Sequence, residues 1–533
     1  MPRVQLYDTT LRDGAQQEGI SFTVDDKIKI ARKLDELGID YIEGGWPGSN
    51  PKDAEFFERT RNLKLDHATV VAFGSTRRPG SKAEDDANLK ALFAAGTKVV
   101  TLVGKSWDRQ VIDVLETTLE ENVAMITDSI RYLKSKGITV FFDAEHFFDG
   151  YKSNADYAVK TLKAAAEAGA DCLVLCDTNG GTLPQEIVGI IVDVRKTIIT
   201  PLGIHTHNDG DVAVANSLMA VQCGVIQVQG TINGYGERCG NANLSSIIPT
   251  LKLKMGMETI SNEQLAKLSS VCRYVSELAN LSLSKYAPYV GASSFTHKGG
   301  FHASAMMKWN KSYQHINPAL VGNQSRIVVS ELSGMGSIIY KAKEHGLTLL
   351  PDDRKTRDIL NQIKALENEG FQYEDAEGSF EVLIRRSQPD YHPPFELVDF
   401  MVIVEKRRRP PTVNSKNGNK EEMLSEAMVK VKVGDEIVHT VAEGNGPVNA
   451  LDAALRKALL CFYPALSTIE LVDYKVRILE ENSGTASQVR VLIESTDGSS
   501  YWRTVGSSSN VIEASWLALV DSLEYWIFKH PAI

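Results

Sequence analysis

From residue 3 to about 275 the chain alternates short apolar runs with longer stretches whose apolar residues recur at helical spacing. Eight runs read as strands: Val4–Tyr7, Tyr41–Glu43, Ala68–Phe73, Lys98–Val103, Thr139–Phe142, Cys172–Leu175, Ile204–His207 and Val225–Gly230. Each is followed by helix-like sequence, the last after a glycine-rich loop. The first helix shows the logic. Thr23 caps it with Asp26 three residues on, Ile28, Ile30, Ala31, Leu34 and Leu37 face inward, and Gly38 ends it. Eight strand–helix units predict an α/β fold, a TIM (β/α)8 barrel over residues 1–275. A doubly wound open sheet would have no reason to stop at eight.

The rhythm then changes. Residues 276–370 predict a small helical subdomain that reaches over an active site; it contains the run Phe295–His302, then Tyr313 before Asn317-Pro318. Residues 371–533 carry an internal repeat, in which Glu396-Leu397-Val398-Asp399-Phe400 recurs as Glu470-Leu471-Val472-Asp473-Tyr474. Alternating strands follow each copy (Val429–Val433, Val489–Ile493), and each copy ends in a helix that aligns Ala450, Ala454, Leu455 and Leu459 with Ala514, Ala518, Leu519 and Leu523. Two tandem strand–hairpin–helix units predict a pseudo-symmetric α+β domain. The unmatched stretch Pro410–Glu422 reads as a long loop, and the basic run Lys406-Arg407-Arg408-Arg409 before it as a solvated linker.

Composition narrows the function classes. With 533 residues, two or three domains are expected, and 43% apolar with 24% charged residues suits a soluble globular protein. A net charge of -10 argues against a nucleic-acid scaffold. The six cysteines form no Cys-x-x-Cys pair and no disulfide framework. No run is long enough to span a bilayer, and the N-terminus lacks a signal-like apolar core. The expectation is a cytoplasmic protein with no membrane partner.

In a barrel of this kind chemistry gathers at the C-terminal ends of the strands. Those ends carry Arg12-Asp13, Gly45-Trp46-Pro47, Lys105, Glu145-His146, Asp177-Thr178, His205 with His207, and Glu237–Asn241. His205 and His207 flank one residue of a strand, so their side chains share a face. With Asp13 they make a plausible first shell for a divalent ion, although the spacing alone also fits a hydrogen-bonded histidine pair. The loop Gly234–Asn241 is no dinucleotide fingerprint, because its glycine spacing is wrong and it follows the last strand. Asn241 offers instead a carbonyl oxygen to the metal.

Three motifs in order, Asp8-Thr9-Thr10-Leu11-Arg12-Asp13-Gly14, His205-Thr206-His207-Asn208-Asp209 and the glycine loop ending in Asn241, resemble the 2-isopropylmalate, homocitrate and citramalate synthases, the DRE-TIM metallolyases. Hydroxymethylglutaryl-CoA lyase is a more distant likeness. The resemblance covers essentially the whole chain, since the C-terminal repeat is similar to the allosteric domain of the isopropylmalate and citramalate synthases. It implies a Claisen-type condensation of acetyl-CoA with a 2-oxo acid, followed by thioester hydrolysis. It also implies a divalent metal (Mn²⁺, Mg²⁺, Zn²⁺ or Co²⁺) on Asp13, His205, His207 and Asn241. Arg12 would then stabilise the growing oxyanion, Thr178 bind the oxo acid's carboxylate, and Glu145 contact substrate and relay a proton. His302 is the first choice for the acid/base group, with Tyr313 beside it, while Gln16 is a further substrate-proximal residue. Each has a plainer reading: His302 could brace a glycine-rich turn, Tyr313 could be a packed aromatic, and His146, His297 and Lys105 could be supporting groups.

Gly44–Asp53 departs from the Gly-Phe-Pro usual in isopropylmalate synthases, and with Asp143–Lys152 it resembles the long citramalate synthases, which use pyruvate. A bulky Trp46 would narrow a pocket to a methyl group. The expectation is citramalate formation for isoleucine synthesis, with isoleucine as feedback ligand of the C-terminal domain and a homodimer as the assembly. 2-Isopropylmalate synthesis from 2-oxoisovalerate is the alternative. The resemblance disfavours a lyase, since such lyases usually lack a repeated regulatory domain, and the intact Asp13, His205, His207 and Arg12 argue against a silent amino-acid sensor.

Overall fold

The computed structural model describes all residues except 1, 62, 331, 351–353, 406–423, 480–483, 485–486 and 531–533. The basic run 406–409 and the long loop 410–422 therefore lie outside the described residues. The chain divides into two compact units, residues 1–295 with 315–325, and residues 296–314 with 326–533.

The first unit is a closed parallel barrel of β1 (Gln5–Asp8), β2 (Tyr41–Gly45), β3 (Thr69–Ser75), β4 (Val99–Lys105), β5 (Thr139–Glu145), β6 (Cys172–Asp177), β7 (Leu202–Thr206) and β8 (Gln227–Gly230), in that order. Closure is made by β8 pairing with β1, Gln5 opposite Gln227 and Asp8 opposite Gly230. Burial on both faces explains runs such as Cys172–Asp177, in which every residue is buried. One set of alternate residues packs inside the barrel, with Tyr7, Val71, Val99, Phe141, Cys172 and Val174 in one cluster. The other set, including Leu6, Ile42, Ala72, Val100, Leu102, Phe142, Leu173 and Leu175, meets the surrounding helices.

Those helices are α1 (Val24–Leu37), α2 (Pro51–Thr60), α3 (Ala87–Ala94), α4 (Leu119–Ser135), α5 (Phe147–Ser153), α6 (Ala155–Glu167), α7 (Pro184–Val194), α8 (Ala213–Gln222), α9 (Leu244–Leu253), α10 (Asn262–Leu265) and α11 (Leu268–Leu278). In α1 the reciprocal Thr23–Asp26 cap forms and Gly38 closes the helix in the left-handed region. Ile30, Ala31, Leu34 and Leu37 are buried as the spacing predicts, and Ile28 is half-buried. Lys27 is buried too, which no apolar pattern foretells.

In the second unit β9 (Thr296–His297) pairs in parallel with β10 (Arg326–Ile327). The helices α12 (Gly300–Lys308), α13 (Met335–Glu344), α14 (Arg354–Asn368) and α15 (Glu377–Arg386) accompany them. The repeat then appears as two three-stranded antiparallel sheets. The first holds β11 (Glu396–Glu405), β12 (Leu424–Val433) and β13 (Glu436–Gly444), followed by α16 (Pro447–Leu459). The second holds β14 (Glu470–Ile478), β15 (Val489–Thr496) and β16 (Tyr501–Ser508), followed by α17 (Val511–Lys529). The duplication extends to a fault in the ladder: register shifts between Leu397 and Asp399 in one copy and between Leu471 and Asp473 in the other. The aligned alanines and leucines of α16 and α17 are all buried in one core.

Candidate active site

The rim is built first by the turn after β1. The Asp8 carboxylate accepts from the Thr10 N–H and from its hydroxyl, both at 2.9 Å. Thr10 Oγ1 accepts in turn from the N–H of Ile232 at 2.9 Å, tying the turn to the end of the barrel's last strand. Burial pushes the Asp8 carboxyl up to about 7. The result is a rigid corner that sets Arg12 and Asp13 at the mouth.

Two strands away, across β8, β7 delivers His205, and the backbone stays extended through His207, which bridges to Asn241. Both imidazoles point the same way. His205 Nε2 lies 3.3 Å from Asp13 Oδ2 and 3.4 Å from His207 Nε2. One ligand atom from each of Asp13, His205 and His207 lies within 4.8 Å of the others. The Asn241 loop closes tightly: Gly240 has φ +91°, and a Cβ there would stand 2.0 Å from the Gly234 carbonyl oxygen.

The electrostatics suit a cation. Burial alone would raise the Asp13 carboxyl, but the Arg12 charge and the hydrogen bond from His205 carry it well below the usual carboxylate range. Burial and the neighbouring His205 push His207 down to about 3, so it is neutral at pH 7 with its lone pair available. His207 Nδ1 and both amide atoms of Asn241 are buried without a hydrogen-bond partner. Buried polar atoms are seldom left so. Converging lone pairs, a carboxylate and an orphaned amide fit a divalent metal, with mixed nitrogen and oxygen donors.

Other groups orient this set. His205 Nδ1 meets Gln229 Oε1 at 2.9 Å, and Gln229 Nε2 donates to Asp143 Oδ1 at 3.1 Å. That chain assigns a proton to Nδ1 and aims Nε2 at Asp13, the ring atom a metal would take. Burial, then the charge of Glu43, pushes Asp143 up to about 7. Arg12 Nε donates to Glu43 Oε1 at 2.6 Å, and Tyr7 donates to Glu43 Oε2 at 2.6 Å. The guanidinium lies over the Phe73 ring, 3.9 Å from its centroid. Glu43, Asp143 and Gln229 escape motif reading. Their signal is that each is a long or charged polar residue within a buried barrel strand.

Of the remaining expected residues, Glu145 pairs with Lys105 at 2.5 Å. Thr178 Oγ1 accepts from the His146 N–H at 2.9 Å, which leaves its own proton free to point elsewhere. Gln16 sits exposed in the turn after Asp13, and it is Gln17 that reaches the glycine loop, accepting from the Gly236 N–H at 3.4 Å. The His146 ring lies beside Trp107 and Asp149. His302 and Tyr313 belong to the second unit, where their rings stack 4.1 Å apart. His297 lies there also, buried, near Gln314 Nε2. All six cysteines are free.

Residues 3–273 match the HMGL-like family model, residues 289–370 the homocitrate synthase post-HMGL domain-like model, and residues 376–527 the LeuA allosteric (dimerisation) domain. The chain is 56% identical over 533 residues to an (R)-citramalate synthase of Geobacter sulfurreducens, covering 100% of this chain and 99% of that one. It is 52% identical over 530 residues to an (R)-citramalate synthase of Aquifex aeolicus, covering 99% and 98%. The chain belongs to the citramalate/2-isopropylmalate synthase family. Within it, identity to a 2-isopropylmalate synthase of Methanocaldococcus jannaschii is 31% over 535 residues, covering 99% of this chain and 95% of that one. The family's barrel, post-barrel segment and allosteric domain thus follow one another along this chain. Among the described residues no helix is long and apolar enough to cross a membrane.

Proposed function

We propose that this chain condenses acetyl-CoA with pyruvate and hydrolyses the thioester, acetyl-CoA, pyruvate and water giving (R)-citramalate and CoA. The observation that carries the reading is full-length similarity to (R)-citramalate synthases, at 56% and 52% identity, against 31% to a 2-isopropylmalate synthase. The geometry supports it, because a buried Asp13–His205–His207 set stands beside an arginine anchored through Nε on Glu43.

Asp13, His205, His207 and the Asn241 amide would hold the divalent ion, which when bound supplies Lewis acidity toward the oxo acid's carboxylate and keto oxygen. Arg12, with Nε taken by Glu43 and its face on Phe73, keeps its other donors for the oxygen that gains charge as the new C–C bond forms at the ketone carbon. The free Thr178 proton binds the substrate carboxylate. Glu145, held by Lys105, lines the same rim and serves the proton traffic. His302, stacked on Tyr313, is the acid/base group that takes the methyl proton of acetyl-CoA. In this reading the segment 276–370 reaches over an active site.

The protein is proposed to be a cytoplasmic homodimer with isoleucine as feedback ligand. Supporting the dimer, the repeat matches an allosteric (dimerisation) domain, and its sheets expose Met401, Ile403, Ile437, Val441, Val472, Val476 and Ile478. The test is CoA release from acetyl-CoA, with Mn²⁺ or Mg²⁺, comparing pyruvate, 2-oxoisovalerate and 2-oxoglutarate. Preference for pyruvate is the expected result. Preference for 2-oxoisovalerate would move the chain to 2-isopropylmalate synthesis, and no release with any acid would refute the condensation.

A further inference from the structure

The rim at β2 carries a buried ion pair that the chemistry above leaves unused. Lys27 on α1 is 3% exposed and Asp53 in the first turn of α2 is 6% exposed. Lys27 Nζ donates to Asp53 Oδ1 at 2.5 Å and to the Gly44 carbonyl at 3.0 Å. Asp53 Oδ2 accepts from the backbone N–H of Trp46 at 2.8 Å and from Asn50 Nδ2 at 3.0 Å. Gly45 makes the approach feasible, with φ +146° and space so tight that a Cβ would stand 2.4 Å from the Asp53 carboxyl carbon. Desolvating two charges is costly, and apolar residues of similar size would stabilise the site at least as well. Through Gly44 and Trp46 the pair gives the Gly44–Pro47 turn one conformation.

Trp46 is what that conformation places. Its indole Nε1 donates to Asn88 Oδ1 at 2.6 Å, and Asn88 Nδ2 is itself anchored on the Ser75 carbonyl at 2.6 Å. The indole meets the Phe73 ring edge to face, centroids 5.5 Å apart. Phe73 is the ring on which the Arg12 guanidinium lies. Lys27, Asp53, Trp46, Phe73 and Arg12 therefore form one unbroken line from α1 to the residue beside the metal ligands.

We propose that Lys27 and Asp53 are positioning residues for substrate choice, holding Trp46 against Phe73 so that the wall beside Arg12 accepts a methyl group on the 2-oxo acid and rejects longer substituents. This rests on the condensation reading. One methylene in an apolar pocket is worth roughly 10- to 200-fold in kcat/KM, so a wall displaced by the width of one methylene is enough to change the preferred acid.

The experiment is steady-state CoA release by the full chain with pyruvate, 2-oxobutyrate and 2-oxoisovalerate. The main variant is Lys27→Met with Asp53→Leu, which removes both charges together and leaves no buried charge unpaired; circular dichroism confirms that it folds before rates are compared. Trp46→Ala and Lys27→Arg accompany it. In the paired variant and in Trp46→Ala, the kcat/KM ratio of 2-oxobutyrate to pyruvate is expected to rise about tenfold. The change should lie in KM for the oxo acid, with KM for acetyl-CoA unmoved, a split that mere loosening of the fold would not produce. Lys27→Arg, which keeps a cationic donor for Asp53, should hold the ratio nearer to wild type than the paired variant does. A flat ratio in the paired variant, while Trp46→Ala shifts, would overturn the role of the ion pair. A flat ratio in Trp46→Ala would overturn the wall itself. Wild-type preference for 2-oxoisovalerate would overturn the methyl limit, and wild-type silence with all three acids would instead strike the proposed reaction.

Discussion

Both units bury charged side chains, and they treat them in opposite ways. In the second unit Glu381 is fully buried, yet His345, Arg385 and Lys529 stand 2.7–2.8 Å from its oxygens. Arg386 likewise answers both Asp521 at 2.9 Å and Glu524 at 2.6 Å, and Tyr391 donates to Glu524. In these networks each buried carboxylate is met by at least one cation. At the barrel rim Asp13 faces two imidazoles whose nitrogens face each other, and the neighbouring Asn241 amide bonds to nothing. A closed set of buried charges holds helices together; an open set is held ready for a ligand.

The comparison breaks most sharply if Asp13 is removed. Asp13→Ala or His207→Ala should lower turnover roughly 10²- to 10³-fold, the loss typical of a lost electrostatic stabiliser, and abolish metal uptake in calorimetry. Unfolding of the C-terminal unit should not move. An unchanged rate in either variant would sink the assigned site. In the closed network the outcome should reverse: Arg386→Met leaves Asp521 and Glu524 without their cation and should cost about 3 kcal/mol, the lower end for a broken buried pair. Urea unfolding reads that loss, and metal affinity should be unaffected.

Acidity offers a gentler probe of the same network. Burial pushes Asp521 up to about 6, against an ordinary value of 3.8, with Arg386 and a Ser379 hydrogen bond pulling the other way. A carboxyl raised in the folded state contributes stability that is full below its unfolded value and fades as pH rises through the folded one. The C-terminal unit should therefore lose on the order of 2 kcal/mol between pH 4 and 7 through this group, and Asp521→Asn should flatten that slope in urea midpoints. A slope that survives the substitution belongs to another group. The smallest effect sharpens the open site. Gln229→Leu frees the His205 ring and should weaken metal binding roughly 10- to 100-fold while its three ligands remain; unchanged affinity would mean that packing alone fixes the imidazole.

The sequence was most legible where a residue's role is local. Strand and helix periods place eight barrel strands within two or three residues of their observed bounds, because burial on two faces leaves little freedom. The Asp8–Gly14 turn and the His205–His207 spacing announce a donor set, since side chains two apart on extended backbone must share a face. The duplicated strand–hairpin–helix unit was visible for the same reason, down to the motif that carries the paired register shifts. Lys27 was not legible: in sequence it is one more lysine on an amphipathic helix, and only α2, folded against α1, supplies Asp53. Glu43, Asp143 and Gln229 escape for a related reason, lying far apart in sequence on strands that meet only around the closed barrel.

What the sequence determined by itself was the kind of molecule: a barrel by its periodicity, a metal-binding rim by its motifs, and a doubled C-terminal domain by its repeat. Those properties follow from neighbours along the chain. The tertiary structure alone decided which way His205 turns its Nε2, what neutralises Arg12, and where the Trp46 indole stands. Each depends on partners tens of residues or more away, brought within 3 Å only when the barrel closes, and hydrogen bonds that short leave no trace in the spacing of residues.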